Sequence, residues 1–313
     1  MEFHHTSVLL DESIENLLCG PGKIMADCTL GGGGHALHIL ERILPGGKLI
    51  GLDKDKEALM SASARLSAFG GAFCPVHADF VDIKPVLEKV GIAAIDGCLL
   101  DLGVSSYQLD NPARGFSYHA DAPLDMRMNR EQERTAYDVV NGYSQKELAR
   151  VIRAYGEERF AARIADRIVK KREQKPLSST LELAETIKEA IPAPARRTGP
   201  HPARRTFQAL RIEVNGELEH LEKALDAIAD VLSPGGRLCV ITFHSLEDRV
   251  VKNAFSAWAD PCTCPRDFPE CVCGKTPKGR VVTRRPIVPG ETELEQNARA
   301  RSAKLRVFEK SGY

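Results

Sequence analysis

The stretch DCTLGGGGH, Asp27 to His35, decides how the chain is read. Lys23-Ile24-Met25-Ala26 leads into it as an apolar, strand-like run, and Ala36-Leu37-His38-Ile39-Leu40 leads out with helical spacing. Between them lie Gly31 to Gly34, so the order is strand, tight turn, helix. Glycine admits positive φ and has no Cβ to keep a ligand away from the backbone. The helix N-terminus that follows carries unpaired N–H groups and partial positive charge. Such a corner suits a nucleotide-like or carboxylate-bearing cofactor. The next apolar run, Lys48 to Leu52, ends in Asp53. An acid about 20 residues after such a loop reads the ribose hydroxyls of a bound nucleoside. Gly31, Gly33 and Ala36 also satisfy the loose G-x-G-x-x-A pattern of dinucleotide binders, and a glycine turn that binds nothing is the plain alternative. Asp27 separates these readings. Dinucleotide sites do not usually need an acid at the end of the first strand, whereas a cofactor with an ammonium group does. S-adenosylmethionine offers both an amine to hold and a ribose to read.

With 313 residues, the chain can form one large α/β domain or a domain with a sizeable insertion. No apolar run approaches the ~18 residues of a membrane span, and the acidic N-terminus does not read as a signal peptide. A cytoplasmic protein without membrane association is expected. The 43 basic and 43 acidic side chains cancel, so total charge does not argue for nucleic acid. Distribution says more: Arg196 to Arg211 and Lys275 to Arg285 are basic runs without an acid. Local patches of this kind contact phosphates without making a protein basic overall, although most charge runs are solvated surface. Within the first run, Arg196, Arg197, Arg204 and Arg205 are the candidate RNA contacts.

Along the chain, residues 1–20 read as an opening helix capped by Thr6 or Ser7. Strand–helix alternation continues through a helix from Asp55 to Phe69, a strand from Ala72 to Ala78, and a strand from Ile95 to Leu102. Ligands of such parallel sheets bind beyond the carboxyl ends of the strands. Asp27, Asp53, Asp79 with Phe80, and Asp101 all fall there. Asp79 can accept from an exocyclic amine and Phe80 can cover a flat ring face, with core packing as the alternative for Phe80. From Gly103 to Met128 the pattern changes to a long polar, turn-rich segment, followed by helical patterns at Ser144–Tyr155, Glu157–Gln174 and Thr180–Ile191. The expected organisation is a first sheet segment over 1–106, a helical substrate-recognition insertion over 107–205, and a second sheet segment over 206–313. That last segment opens on one long helix, Arg205 to Leu232. It then gives strands at Arg237–Thr242, Pro286–Val288 and Ala303–Glu309, the last two as a hairpin with one antiparallel strand.

Cys28, Cys74, Cys98 and Cys239 sit in apolar runs, where thiols behave as small core groups. Cys262, Cys264, Cys271 and Cys273 instead crowd into one loop as two C-x-C pairs. Four thiolates can hold a structural zinc, but one residue between ligands is tighter than the usual two to four. A loop without metal is the alternative.

Together these residues resemble the bacterial S-adenosylmethionine-dependent methyltransferases that modify N4 of one cytosine in the decoding region of small-subunit (16S) ribosomal RNA. The resemblance lies in HTSVLLDE (His5 to Glu12), the GGGGH loop, LDLGVSSYQLD (Leu100 to Asp110), RGFS (Arg114 to Ser117) and PLDMRM (Pro123 to Met128). It continues in YGEERFA (Tyr155 to Ala161), HPARRTFQALRI (His201 to Ile212), FHSLEDR (Phe243 to Arg249) and ARSAKLRV (Ala300 to Val307). It implies an α/β class I (Rossmann-like) methyltransferase fold, with a seven-stranded, mostly parallel sheet and an inserted helical subdomain. It also implies that Gly33, Gly34, His35, Asp53, Phe80, Asp101 and Gln108 bind the cofactor. The partner would be 16S ribosomal RNA within the small ribosomal subunit; a homodimer is compatible with the sequence. Gly32 stands where the family often has a larger residue, and the CxC loop occurs in only part of the family.

The exocyclic amine of cytosine is a poor nucleophile, because its lone pair is delocalised into the ring. A nearby acceptor that takes up its proton is therefore expected. Amino-methyltransferases often place an Asp/Asn/Ser-Pro-Pro-aromatic motif at strand four, and this chain has DLGVSS instead. Asp101 is the best-placed acceptor, with Ser105 and His244 behind it; His244 can equally serve as a helix-capping neighbour. Methylation of DNA or another RNA, a nicotinamide-dependent oxidoreductase, and a non-enzymatic RNA-binding module are the competing functions. Asp27 and the terminal hairpin argue against the oxidoreductase, and the set of strand-end acids argues against a bare binding module.

Overall fold

The apolar run ahead of the glycines is strand β1, Ile24–Asp27, an interior strand of a seven-stranded sheet. The computed structural model describes residues 7–197, 199–265, 270 and 272–312. The chain divides into a sheet unit, residues up to Gly103 together with Leu218 onward, and a helical unit, Val104–Glu217.

In the sheet unit the further strands are β2 Lys48–Asp53, β3 Phe73–His77, β4 Ile95–Asp101, β5 Leu232–Thr242, β6 Gly279–Val281 and β7 Lys304–Lys310. Their order is β3-β2-β1-β4-β5-β7-β6. β1 to β5 run parallel, and β7 is antiparallel to both β5 and β6. Neighbouring residues of each central strand face opposite sides of the sheet. Ala26, Ile50, Leu100 and Val240 enter one apolar cluster, while Met25, Leu49, Leu99 and Cys239 enter the other. Both faces are buried, which is why these strands read as continuous apolar runs instead of alternating ones. Each fully buried aliphatic side chain contributes roughly 1.5–3 kcal/mol to this packing. Cys28, Cys98 and Cys239 are buried within it, as their apolar surroundings predict, and Cys74 is half-buried.

Several sequence expectations shift. The opening helix is Leu10–Leu17, and its N-cap is Leu9 in a left-handed conformation without a side-chain cap, so Ser7 does not cap it; Thr6 lies outside the described residues. The helix expected to Phe69 ends at Arg65 and passes into 3-10 turns. The edge strand is Gly279–Val281, and Pro286–Val288 contributes one isolated bridge, Ile287 to Leu305. Pro286 has no N–H to donate to a ladder. The long helix expected over Arg205–Leu232 is two helices, Arg204–Asn215 and Glu217–Val231. Gly216, at φ 62°, caps the first through its N–H to the Ile212 carbonyl. The break moves the end of the insertion to Glu217 from the expected 205, and its start lies at Val104 instead of 107.

The helical unit contains Ala136–Gly142, Gln145–Gly156, Ala161–Arg172, Thr180–Ala190 and Arg204–Asn215 around one apolar cluster. Thr135, Ser144 and Ser179 each begin a helix with a reciprocal capping box. The polar segment after β4 is ordered by a buried cation. Arg114 is 1 % exposed, and its Nη2 donates to the carbonyls of Arg127 (3.0 Å) and Met128 (2.9 Å).

Candidate active site

The chain leaves β1 toward β2 and β3 on one side, then returns to β4 on the other. The sheet order therefore reverses between β1 and β4. Ligands of open α/β sheets bind at such a switch point. The glycine loop lies there, between β1 and the helix Gly34–Ile43.

Gly33 is the N-cap of that helix at φ 74°, and a Cβ on it would press against Leu66 and Ala62 at 3.2–3.3 Å. Its positive φ makes Gly33 the position that favours glycine, whereas a Cβ on Gly34 would meet Ser7 Oγ, which can rotate away. Gly32 has open space, consistent with larger residues at that position. His35, 5 % exposed, places Nε2 3.1 Å from the Val8 carbonyl. A carbonyl only accepts, so this nitrogen carries the proton and donates. Nδ1 then faces Asp101 Oδ2 at 3.8 Å. The Val8 carbonyl thus orients the histidine, a role that spacing alone did not reveal.

The strand-end acids come together with different partners. Asp27, 1 % exposed, accepts at Oδ1 from the Thr29 N–H at 3.2 Å. Burial pushes it up to about 7; the Thr29 N–H opposes the shift and the neighbouring Asp53 adds to it. Asp53 accepts from the Gly31 N–H at Oδ2 and from the Asp55 N–H at Oδ1, both at 2.8 Å. Burial raises it to about 6 against those two donors. Its first job is therefore to hold the glycine loop, and each oxygen keeps a lone pair for a hydroxyl. The Asp101 N–H donates to Thr29 Oγ1 at 2.6 Å, tying the ends of β1 and β4 together. The Asp101 Oδ1 is enclosed without a hydrogen-bond partner among the described residues. Burial raises this carboxyl well above the ordinary range, reinforced by Asp27 and Glu247.

Asp79 differs. Its Oδ1 accepts from the Val81 N–H at 3.2 Å, and its Oδ2 lies 2.9 Å from His220 Nδ1 and 3.3 Å from Lys54 Nζ. Burial would raise its pKa, but the His220 hydrogen bond, the charges on Lys54 and His220, and the Val81 N–H together lower it to about 2. Phe80 is 9 % exposed and belongs to the sheet core, with Lys54 Nζ 5.8 Å from its ring centroid. Lys54 and His220 carried no signal in the sequence. His220 comes from the distant helix Glu217–Val231 and reads there as an ordinary polar position.

His244 is the N-cap of the helix Ser245–Ala259: its Nδ1 accepts from the Glu247 N–H at 3.3 Å. Nε2 lies 3.1 Å from Glu247 Oε1 as an electrostatic contact, without hydrogen-bond geometry. In the helical unit, Ser105 Oγ accepts from the Gln108 N–H at 3.2 Å and Gln108 Oε1 from the Ser105 N–H at 3.1 Å, a capping box for Ser106–Asp110. Ser105, His244 and Gln108 thus all have capping roles, and Asp101 is the candidate acceptor whose enclosed oxygen is left unpaired.

The basic run is less uniform than its sequence suggests. Arg196 is half-buried, whereas Arg197, Arg204 and Arg205 are exposed. Arg205 Nη1 donates to the Glu157 carbonyl at 3.2 Å. Arg211 is locked in a bidentate pair with Glu217, both contacts at 2.8 Å. Of the loop cysteines, Cys262, Cys264 and Cys273 lie together and Cys271 lies outside the described residues.

The profile of the MraW methylase family matches residues 2–311, nearly the whole chain. The chain belongs to the MraW methylase family. Among the relatives of this methylase, the ribosomal RNA small subunit methyltransferase H of Carboxydothermus hydrogenoformans is 56 % identical over 313 residues, all of both chains. Proteins of the same name from Lachnospira eligens and Clostridioides difficile are 55 % and 53 % identical, over 99 % of this chain and 98 % and 100 % of theirs. Among solved structures, a putative rRNA-methylase from Clostridium thermocellum is 11 % identical with a TM-score of 0.43, over 98 % of this chain and 99 % of that one, a likeness too slight to bear on function. No helix among the described residues is long and apolar enough to cross a membrane.

Proposed function

We propose that this chain uses S-adenosylmethionine to methylate N4 of one cytosine in the decoding region of 16S ribosomal RNA, in the cytoplasm, with the small ribosomal subunit as partner. The observation that carries the reading is full-length identity of 53–56 % to proteins named ribosomal RNA small subunit methyltransferase H.

The residues at the switch point fit the cofactor. A Cβ-free cradle at Gly33 and Gly34 precedes the helix N-terminus, which suits a carboxylate. Asp27 and Asp101, two buried acids whose Oδ1 atoms receive one backbone N–H and no described partner respectively, suit the positive charge of the cofactor. Asp53 keeps lone pairs for ribose hydroxyls, and Asp79 Oδ1 keeps one for an exocyclic amine. When bound, S-adenosylmethionine supplies an electrophilic methyl group on a sulfonium.

Asp101 is the group we assign to the amine proton. Its burial favours the neutral acid while the site holds no positive charge, and a cation opposite favours the carboxylate. It therefore becomes a base in the loaded site. His35 backs Asp101 from 3.8 Å and is oriented by the Val8 carbonyl. Reaching N4 requires an unpaired or flipped base.

The helical unit supplies features suited to RNA. A groove of about 590 Å³ is lined by Tyr118, Lys188, Arg196, Arg197 and His201. The Tyr118 and His201 rings stack at 4.6 Å and 9°. Burial, helped by the nearby charges of His119 and Lys188, lowers the His201 pKa and favours the neutral ring. Stacked rings beside arginines match what single-stranded RNA requires. Arg204 and Arg205 extend the basic surface.

Calorimetric titration with S-adenosylmethionine and with NAD, followed by tritiated methyl transfer to small ribosomal subunits, tests the reading. Binding of S-adenosylmethionine and label on 16S RNA cytosine are expected. Cofactor binding without transfer to 16S RNA would overturn the substrate, and binding of NAD instead would overturn the class. Arg204→Ala with Arg205→Ala should weaken RNA binding while cofactor affinity stays intact.

A further inference from the structure

The loop between the helix Ser245–Ala259 and β6 carries a cluster that methyl transfer does not use. The ends of the loop are pinned. The Lys278 N–H donates to the Trp258 carbonyl at 2.8 Å, and Lys278 Nζ lies 5.6 Å from the Trp258 ring centroid. None of the described residues from 260 to 278 is buried, and Val272 is 73 % exposed. Yet the Sγ atoms of Cys262, Cys264 and Cys273 all lie within 4.8 Å of one another. Three thiols that meet where none of the described loop residues is buried have a cause other than core packing.

The distances point to that cause. Cys262 Sγ and Cys273 Sγ are 3.9 Å apart. A disulfide requires ~2.05 Å. Two sulfurs on one tetrahedral zinc, with Zn–S bonds of ~2.3 Å, stand ~3.8 Å apart. The Val272 N–H also points at Cys264 Sγ at 3.4 Å, the kind of second donor that orients a metal-bound thiolate. Thiolate sulfur selects soft or borderline cations over magnesium or calcium.

We propose that Cys262, Cys264 and Cys273 bind a zinc ion as thiolates and that this ion cross-links the loop. On binding, each S–H gives its proton to water, each sulfur forms one bond to zinc and a water molecule takes the fourth position of the tetrahedron, with no change of oxidation state. The ion is structural: it lies on a loop that supplies none of the strand-end acids, and it does the organising that burial does elsewhere. The tight C-x-C spacing argued against metal in the sequence. In the folded loop Cys262 and Cys264, with one residue between them, nonetheless bring their Sγ atoms within 4.8 Å of each other and of Cys273, so the tight pair does not prevent convergence.

The test is metal analysis of the full-length chain, purified without chelator or polyhistidine tag. About one zinc per chain is expected, falling below ~0.2 in Cys262→Ser with Cys273→Ser while the S-adenosylmethionine Kd changes less than about twofold. Should that variant fail to fold, Co²⁺ titration of the reduced, metal-stripped wild type decides alone, through the visible bands of a tetrahedral cobalt thiolate. Less than ~0.2 zinc per chain with no cobalt–thiolate absorption would overturn the site. So would a freshly purified chain about 2 Da light, with Cys262 joined to Cys273 as a disulfide and no metal bound.

Discussion

Asp27 and Asp79 close two strands of the same sheet and are the same residue type, yet their carboxyls sit at about 7 and about 2. Both are removed from water. Asp27 receives one backbone N–H and faces another acid, so desolvation wins. Asp79 receives a backbone N–H, an imidazole and an ammonium, so its partners win. One corner is thus left short of positive charge while the other is already supplied with it. The proposed function puts the positive charge of the cofactor at the first and its neutral aromatic base at the second.

The largest effect that would break this contrast lies at Asp101, which shares the charge-poor corner. Asp101→Asn should lower methyl transfer by about 10²–10⁴-fold, the range of a lost acid–base group, in single-turnover assays with saturating cofactor. Cofactor affinity should fall far less; equal losses in both would remove Asp101 as proton acceptor.

Next comes Asp79→Ala, which strips the partner from His220 and Lys54. Loss of a charge-assisted hydrogen bond, about 1.5–3 kcal/mol, should weaken S-adenosylmethionine by roughly 10- to 100-fold in calorimetry. If adenosine and its 6-deamino analogue lose affinity equally in this variant, Asp79 does not read the exocyclic amine.

A smaller effect separates the corners by pH. A cation opposite Asp27 favours its carboxylate, so binding expels a proton below pH 7. The affinity of the wild type for S-adenosylmethionine should rise roughly tenfold between about pH 5.5 and 7.5. Asp27→Asn should remove part of that rise, with Asp101 supplying the remainder, and calorimetry in buffers of different ionisation enthalpy would count the protons released by each variant.

The smallest effect is on stability, where the two acids have opposite signs. Asp27, raised from 3.8, contributes stability that is present below about pH 4 and lost as pH climbs to about 7. Asp79, lowered from 3.8, contributes stability that is present above about pH 4 and lost as pH falls toward 2. The second contribution is at most about 2 kcal/mol. His220→Phe should remove most of it, flattening the acid limb of urea midpoints between about pH 4 and 2; an unchanged acid limb would mean that Lys54 alone holds Asp79 down.

The sequence by itself determined the alternation of strands and helices, the glycine corner, the row of acids at strand ends and the family. These are written locally, in apolar runs, turn residues and motif spacing, and they need no knowledge of what lies across the fold. It failed where one glycine outweighed a continuous helical pattern, at Gly216, and where a proline demoted a strand, at Pro286. Tertiary structure alone decided which acid is charge-starved and which is satisfied, because His220 reaches Asp79 across 141 residues and Val8 fixes His35 from the opening segment. It alone left Asp101 Oδ1 without a partner among the described residues and gathered Cys262 and Cys264 with Cys273 from the far end of their loop. Protonation and ligation depend on distance and dielectric, and both are set by the residues that folding brings together.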